Sequence, residues 1–127
     1  MRLALDTNRY TDLQAGDRDV AKVLEKAAEI FLPFIVVAEL RAGFSLGARG
    51  RENERKLGEF LGEQQVTVLY PDNQTSFHFA SLYRQLREQG TPIPDHDVWI
   101  AALALQHNLT LYSRDGHFDC VPQLARV

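Results

Sequence analysis

Four acidic residues in this chain stand where they could do chemistry together. They are Asp6 in Leu-Ala-Leu-Asp-Thr-Asn, Glu39 in Val-Val-Ala-Glu-Leu-Arg-Ala-Gly, Asp97 in Ile-Pro-Asp-His-Asp-Val-Trp-Ile, and Asp115 in Leu-Tyr-Ser-Arg-Asp-Gly-His-Phe. Each lies at the end of an apolar strand-like run or inside an apolar helix-like one. An ionised carboxylate in such surroundings is costly unless a cation meets it. Brought together, the four would form a hard, oxygen-rich pocket suited to Mg²⁺ or Mn²⁺. Ions held in that way stabilise charge on a phosphate and lower the pKa of an attacking water, which is phosphodiester chemistry. Without a cation the same carboxylates repel, and one of them should resist ionisation.

Taken singly, each has a structural explanation. Asp6 suits the N-cap of a helix starting near Thr7. Glu39 shares a helical face with Val36, Leu40 and Gly43, so it either reaches solvent at the edge of that face or has a partner, Arg41 or a metal. Gly43 weakens that helix and is easier to understand where something approaches closely. Asp97 would favour the positive end of its helix, with Asp95 competing as the N-cap. Asp115 precedes Gly116 and fits a turn, and Ser113 is placed to orient a carboxylate by hydrogen bonding.

The elements that must position these residues alternate along the chain. Strands are expected at Met1–Leu5, Ile30–Leu32, Val66–Tyr70 and Leu109–Tyr112, with Leu124–Val127 as an added edge strand. Helices are expected over Thr7–Gln14, from an Asp17 or Asp19 cap to Ala28, and over Phe34–Leu46 and Glu52–Glu63. Two more should run from Asp72 or Asn73 to Gln89, stopped by Gly90, and across Val98–Gln106, which is apolar nearly all round. Strand–helix alternation predicts an α/β domain with a mainly parallel sheet of four to five short strands and helices on both faces. Ligands of such sheets bind at the carboxyl ends of the strands, where Asp6 and Asp115 fall.

The 127 residues are read as one domain, 1–127. A hydrophobic fraction of 45% and a charged fraction of 24% are those of an ordinary globular protein. No run approaches the roughly 18 apolar residues of a membrane span, and Asp6 comes too early for a secretory signal. A single cysteine, Cys120, closes no internal disulfide and points to the cytoplasm. The net charge of −3 argues against a protein that coats nucleic acid, but not against an enzyme that cuts it. Arg41, Arg49, Arg51, Arg55 and Lys56 form a basic stretch able to meet a phosphate backbone, although the interleaved Glu52, Glu54 and Glu59 also suit a solvated helix face.

The four motifs together resemble the PIN domain, and more narrowly the VapC-type toxins of toxin–antitoxin pairs. Leu5-Asp6-Thr7-Asn8 resembles the first motif and Val37-Ala38-Glu39-Leu40 with Gly43 the second. Asp97-Val98-Trp99-Ile100-Ala101-Ala102 resembles the third, and Ser113-Arg114-Asp115 with His117-Phe118 the fourth. The resemblance spans essentially the whole chain. It implies an Mg²⁺-dependent endoribonuclease, with Mn²⁺ able to substitute. Asp6, Glu39, Asp97 and Asp115 would form its centre, Asp6 and Asp97 being the core metal ligands, and Asn8 and Ser113 would support it by hydrogen bonds. It also implies an RNA substrate, a homodimer, and an antitoxin that occludes the active site. Ser113 departs mildly from the family, where threonine is frequent, and Asp95-His96 adds polar groups beside the third motif. His96 is expected to face solvent, Trp99 with Phe77, Phe79 and Tyr83 to serve core or dimer contacts, and His117 to lack the companions of a structural zinc site.

Two rivals remain at this level. A PIN-shaped module could bind an antitoxin without catalysis. A phosphatase resembling the haloacid dehalogenases could use Asp6 as nucleophile, but the second aspartate such enzymes carry is Asn8 here, and no lysine follows Lys56.

Overall fold

The computed structural model describes all 127 residues. Four parallel strands form one sheet in the order β3-β2-β1-β4: β1 Arg2–Leu5, β2 Glu29–Pro33, β3 Val66–Leu69 and β4 Thr110–Tyr112. The register sets Ala4 against Phe31 on one side and against Leu111 on the other. Parallel strands of this kind are covered on both faces, and Leu3, Ala4 and Leu5 of the central β1 are fully buried without alternation.

Six helices fill the connections: α1 Thr7–Gln14, α2 Arg18–Lys26, α3 Phe34–Leu46, α4 Gly50–Leu61, α5 Asn73–Glu88 and α6 Asp95–Gln106. Crossovers between parallel strands are right-handed. Running outward from β1 to β3 they set α1–α4 on one face of the sheet, and the return to β4 sets α5 and α6 on the other. The direction of travel therefore reverses at β1, which pairs with β4 on one side and β2 on the other. Ligand crevices of open α/β sheets form at such reversals, outside the carboxyl ends of the strands.

Local chemistry explains the helix limits. Asp17 caps α2, its side chain accepting from the backbone of Asp19 and Val20. Asp72 caps α5 in a reciprocal pair with Thr75. Gly90, with φ +76°, follows the last turn of α5 in the left-handed conformation that glycine adopts without cost. In α6 the residues Ile100, Ala101, Ala102, Leu103 and Ala104 are wholly buried, as an all-apolar helix must be.

Two expectations need correction. Asp95 is not the N-cap of α6. Pro94 holds that position with φ −56°, so Asp95 is the first helical residue and Asp97 the third. Leu124–Val127 adds a single parallel bridge, Leu111 to Arg126, and not a full strand: Leu111 N donates to Ala125 O at 2.8 Å and Val127 N to Leu111 O at 3.1 Å, and no further pair forms. No helix is long and apolar enough to cross a membrane.

Candidate active site

The positions of the four acids follow from the topology. Asp6 directly follows β1, and Asp115 lies three residues beyond the end of the neighbouring β4. A crossover helix runs back against the strands, so its first turns lie over their carboxyl ends. Asp97 is in the first turn of α6, and Glu39 is in the second turn of α3, which leaves β2 without a loop.

Asp6 is 5% exposed and combines two roles. Its Oδ1 accepts from the Thr7 backbone at 2.8 Å, capping α1. Its Oδ2 accepts from Ser113 Oγ at 2.6 Å and from Asn8 Nδ2 at 3.4 Å. Asn8 also donates to Ser113 Oγ, and its Oδ1 accepts from the backbone of Arg114. Asn8 and Ser113 thus lock one carboxylate across two strands. With Asn8 donating to Asp6 where a phosphatase would carry its second aspartate, the nucleophilic-aspartate arrangement is not present.

Glu39 has a sparser shell. Oε2 accepts from Thr7 Oγ1 at 3.2 Å, whereas Oε1 is buried with no hydrogen-bond partner. Arg41, the expected alternative partner, forms a two-pronged ion pair with Glu54 instead. A Cβ at Gly43 would meet nothing within 4 Å, so no close approach by another part of the protein accounts for that glycine.

Asp97 is 3% exposed and is held by two imidazoles. His117 Nδ1 lies 2.8 Å from its Oδ2, and His96 Nε2 lies 3.3 Å from its Oδ1. His96 is half-exposed, as expected, yet it also touches the site. The sequence placed His117 in the fourth motif and set it aside as a zinc ligand, but gave no sign of its contact with Asp97. His117 begins the exit from a turn in which Asp115 Oδ1 accepts from the His117 backbone at 2.9 Å and lies 3.3 Å from its ring. The spacing Asp-Gly-His was the available signal, since a capped tight turn brings the third side chain back over the first.

The electrostatics follow the burial. Burial pushes the Asp6 carboxyl above the usual carboxylate range; the Ser113 and Thr7 hydrogen bonds oppose this, and the charges of Asp97 and Asp115 add to it. Burial raises Glu39 too, opposed by His96 and reinforced by Asp6. The hydrogen bond to Asp97 raises His117, with the charge of Asp115 contributing. No lysine or arginine is ion-paired to any of the four acids. One oxygen each from Asp97 and Asp115, with His117 Nδ1, lie within 4.8 Å of one another. Mutually repelling carboxylates, an orphaned buried oxygen on Glu39 and no protein guanidinium make a donor set that fits a divalent cation.

A PIN-domain model matches residues 3–124. The chain belongs to the PIN-domain family. Among similar proteins, the ribonuclease VapC1 of Haemophilus influenzae is 36% identical over 118 residues, spanning 87% of this chain and 84% of the relative. The toxin FitB of Neisseria gonorrhoeae is 35% identical over 123 residues, 89% of this chain and 87% of the relative. VapBC2 of Rickettsia felis, solved bound to a DNA fragment from its promoter, superposes with a TM-score of 0.89 at 27% identity. That match covers 100% of this chain and 98% of the other. The β3-β2-β1-β4 sheet of this PIN domain therefore carries its acidic crevice at the reversal point between β1 and β4.

The basic stretch is mostly spoken for. Arg41 pairs with Glu54, Arg55 with Glu59 and Lys56 with Glu52, as on a solvated helix face. Phe79 packs on Trp99 at 4.3 Å and on Tyr83 at 6.0 Å, while Phe77 remains exposed.

Proposed function

We propose that this protein is a metal-dependent endoribonuclease and the toxin of a toxin–antitoxin pair. The observation that carries this reading is the convergence of Asp6, Glu39, Asp97 and Asp115 on one sheet edge without a basic partner, with Glu39 Oε1 buried and unsatisfied. Asp6 and Asp97 are the principal ligands for Mg²⁺ or Mn²⁺. When bound there, the ion neutralises charge on the scissile phosphate and acidifies the attacking water.

The chain's own residues do the rest. Ser113 and Asn8 fix the rotamer of Asp6, so no reorganisation is needed when substrate arrives. Thr7 holds Glu39 by Oε2 and leaves Oε1, buried without a hydrogen-bond partner, as a free acceptor at the centre. Burial pushes the Glu39 carboxyl above its usual range, and its charged form is the one a nearby cation would favour. Asp115, at the mouth of the crevice, completes the set and positions the water.

An RNA substrate is supported by the family and by relatives named as ribonucleases. An antitoxin that covers the crevice is supported by the likeness to VapBC and FitAB complexes. Self-association to a homodimer belongs to the same reading, and the exposed Phe77 and Tyr83 of α5 are available for it. A reducing cytoplasm suits the single free Cys120.

The test is induced expression in a bacterial host, followed by sequencing of RNA ends. Growth should stop with newly cut RNA for the natural chain and continue with intact RNA for Asp6→Asn. Equal growth arrest and equal cleavage by both would overturn the proposal.

A further inference from the structure

We propose that His117 is a further protein ligand at the Asp97–Asp115 end of the centre, giving it a mixed nitrogen–oxygen shell and a preference for Mn²⁺ over Mg²⁺. The proposal rests on the metal-dependent reading above and specifies which ion that centre is built for.

Three features of the structure support it. First, the ring aims Nδ1 at the crevice, 2.8 Å from Asp97 Oδ2 and 3.3 Å from Asp115 Oδ1. Donors that share one small ion stand at comparable separations, about 3 Å apart for bonds of about 2.1 Å at right angles. Second, the residue is held in place. Asp115 caps the short 3-10 helix Gly116–Cys120 and accepts from the His117 backbone, and the next residue, Phe118, is fully buried. Arg126 fastens the same turn through the carbonyls of Ser113 and Asp115, and it also pairs with Asp119. A half-exposed histidine on a loose loop would have to be ordered on binding; this one is ordered beforehand. Third, the other imidazole at the site contrasts with it. His96 lies 3.3 Å from Asp97 alone and its neighbour in the chain is Asp97 itself, so it is not at the meeting point of the two carboxylates.

The choice of ion follows from the donor. Mg²⁺ favours an all-oxygen shell with several waters, whereas Mn²⁺, though equally suited to carboxylates, is a first-row transition ion that accepts an imidazole nitrogen more readily than Mg²⁺ does. An all-carboxylate centre would discriminate little in this way. One nitrogen at the Asp97–Asp115 end shifts the balance toward Mn²⁺.

Mn²⁺ alone is the probe, titrated into the purified full chain and examined by pulsed electron paramagnetic resonance. The natural chain should show modulation from a directly bonded imidazole nitrogen. That signal should vanish in His117→Ala and persist in His96→Ala. His117→Ala should weaken Mn²⁺ binding by about tenfold or more, with Mg²⁺ binding changed by less than about threefold. Metal-free melting curves, and His117→Gln as a second variant, separate loss of the ligand from loss of the fold. Bound Mn²⁺ without a bonded nitrogen, or a nitrogen signal that survives His117→Ala, overturns the assignment and leaves the metal-dependent nuclease standing. A natural chain that binds no Mn²⁺ and cuts RNA equally well in EDTA overturns both.

Discussion

Ser113 Oγ donates to Asp6 Oδ2 at 2.6 Å, joining the carboxyl ends of two adjacent strands through a single proton. The direction of that proton is determined. The same oxygen accepts from the backbone of Asp115 at 3.1 Å and from Asn8 Nδ2 at 3.3 Å, so its only hydrogen is committed to Asp6. The bond opposes the upward push of burial on the Asp6 carboxyl.

Removing it should therefore move the pH dependence of cleavage. In Ser113→Ala the Asp6 pKa rises further, so the carboxylate is charged only at higher pH and the acidic limb of the rate profile moves upward. Ser113→Thr keeps the hydroxyl and should behave as the natural chain does. A limb that stays in place in Ser113→Ala would show that Asp6 ionisation does not govern the rate.

Replacing Asp6 or Asp97 by Asn changes the charge with little change in shape. Each loss of an ion contact is expected to cost about 3 kcal/mol in the transition state, or about a hundredfold in cleavage rate. Circular dichroism should show both variants folded. Rates within a factor of about three of the natural chain would remove these residues from the centre.

Glu39 supplies a stability test with a definite sign. Its folded-state pKa is raised by burial, so its contribution is fully present below the ordinary glutamate value and is lost as pH rises through the folded value. At neutral pH without metal, the charged Glu39 is a liability. Glu39→Gln should then melt a few degrees higher than the natural chain at about pH 8 in EDTA, on the order of 1 kcal/mol. At about pH 4, where Glu39 is largely protonated in the fold, the difference should shrink. A lower melting temperature for Glu39→Gln at the higher pH would contradict the electrostatic account.

Asp12 shows the opposite behaviour. Arg114 grips it with two nitrogens at 3.0 and 3.1 Å, and Arg9 adds a third contact. The Arg114 hydrogen bonds hold the Asp12 carboxyl below its usual range. Its contribution is therefore present above the ordinary aspartate value and is lost as pH falls through the folded value. Asp12→Ala should cost about 0.5–1 kcal/mol at neutral pH, measured by urea denaturation, and less in acid. A cost that does not diminish in acid would point to packing rather than charge.

The parts that were legible in the sequence are those that local chemistry decides. Leu3–Leu5 reads as a buried strand because nothing in it is polar, and Asp72 announces the start of α5 by its cap. The crevice was legible because strand ends and crossover-helix starts converge by topology, whatever the side chains are. What stayed hidden depended on choices between partners. Arg41 could have met Glu39 or Glu54, and only the packing of α3 on α4 decides for Glu54. Pro94 takes the cap position with extended backbone angles and no side-chain cap bond, so Asp95 and Asp97 both fall in the first helical turn, a placement the residue types alone did not decide. Leu124–Val127 has strand-like residues, yet it makes only the single bridge of Arg126 to Leu111 beside the three-residue β4. His117 was visible as part of the fourth motif, but its contacts with Asp97 and Asp115 depend on a folded turn, not on a run of ligands.

The most direct test of the central claim is cleavage of a total RNA preparation by the purified chain, with Mg²⁺ or Mn²⁺, with EDTA, and with Asp97→Asn in parallel. The account expects discrete fragments that require the cation and are lost in the folded variant. Cleavage that survives both EDTA and Asp97→Asn would mean that the acidic crevice is not where RNA is cut.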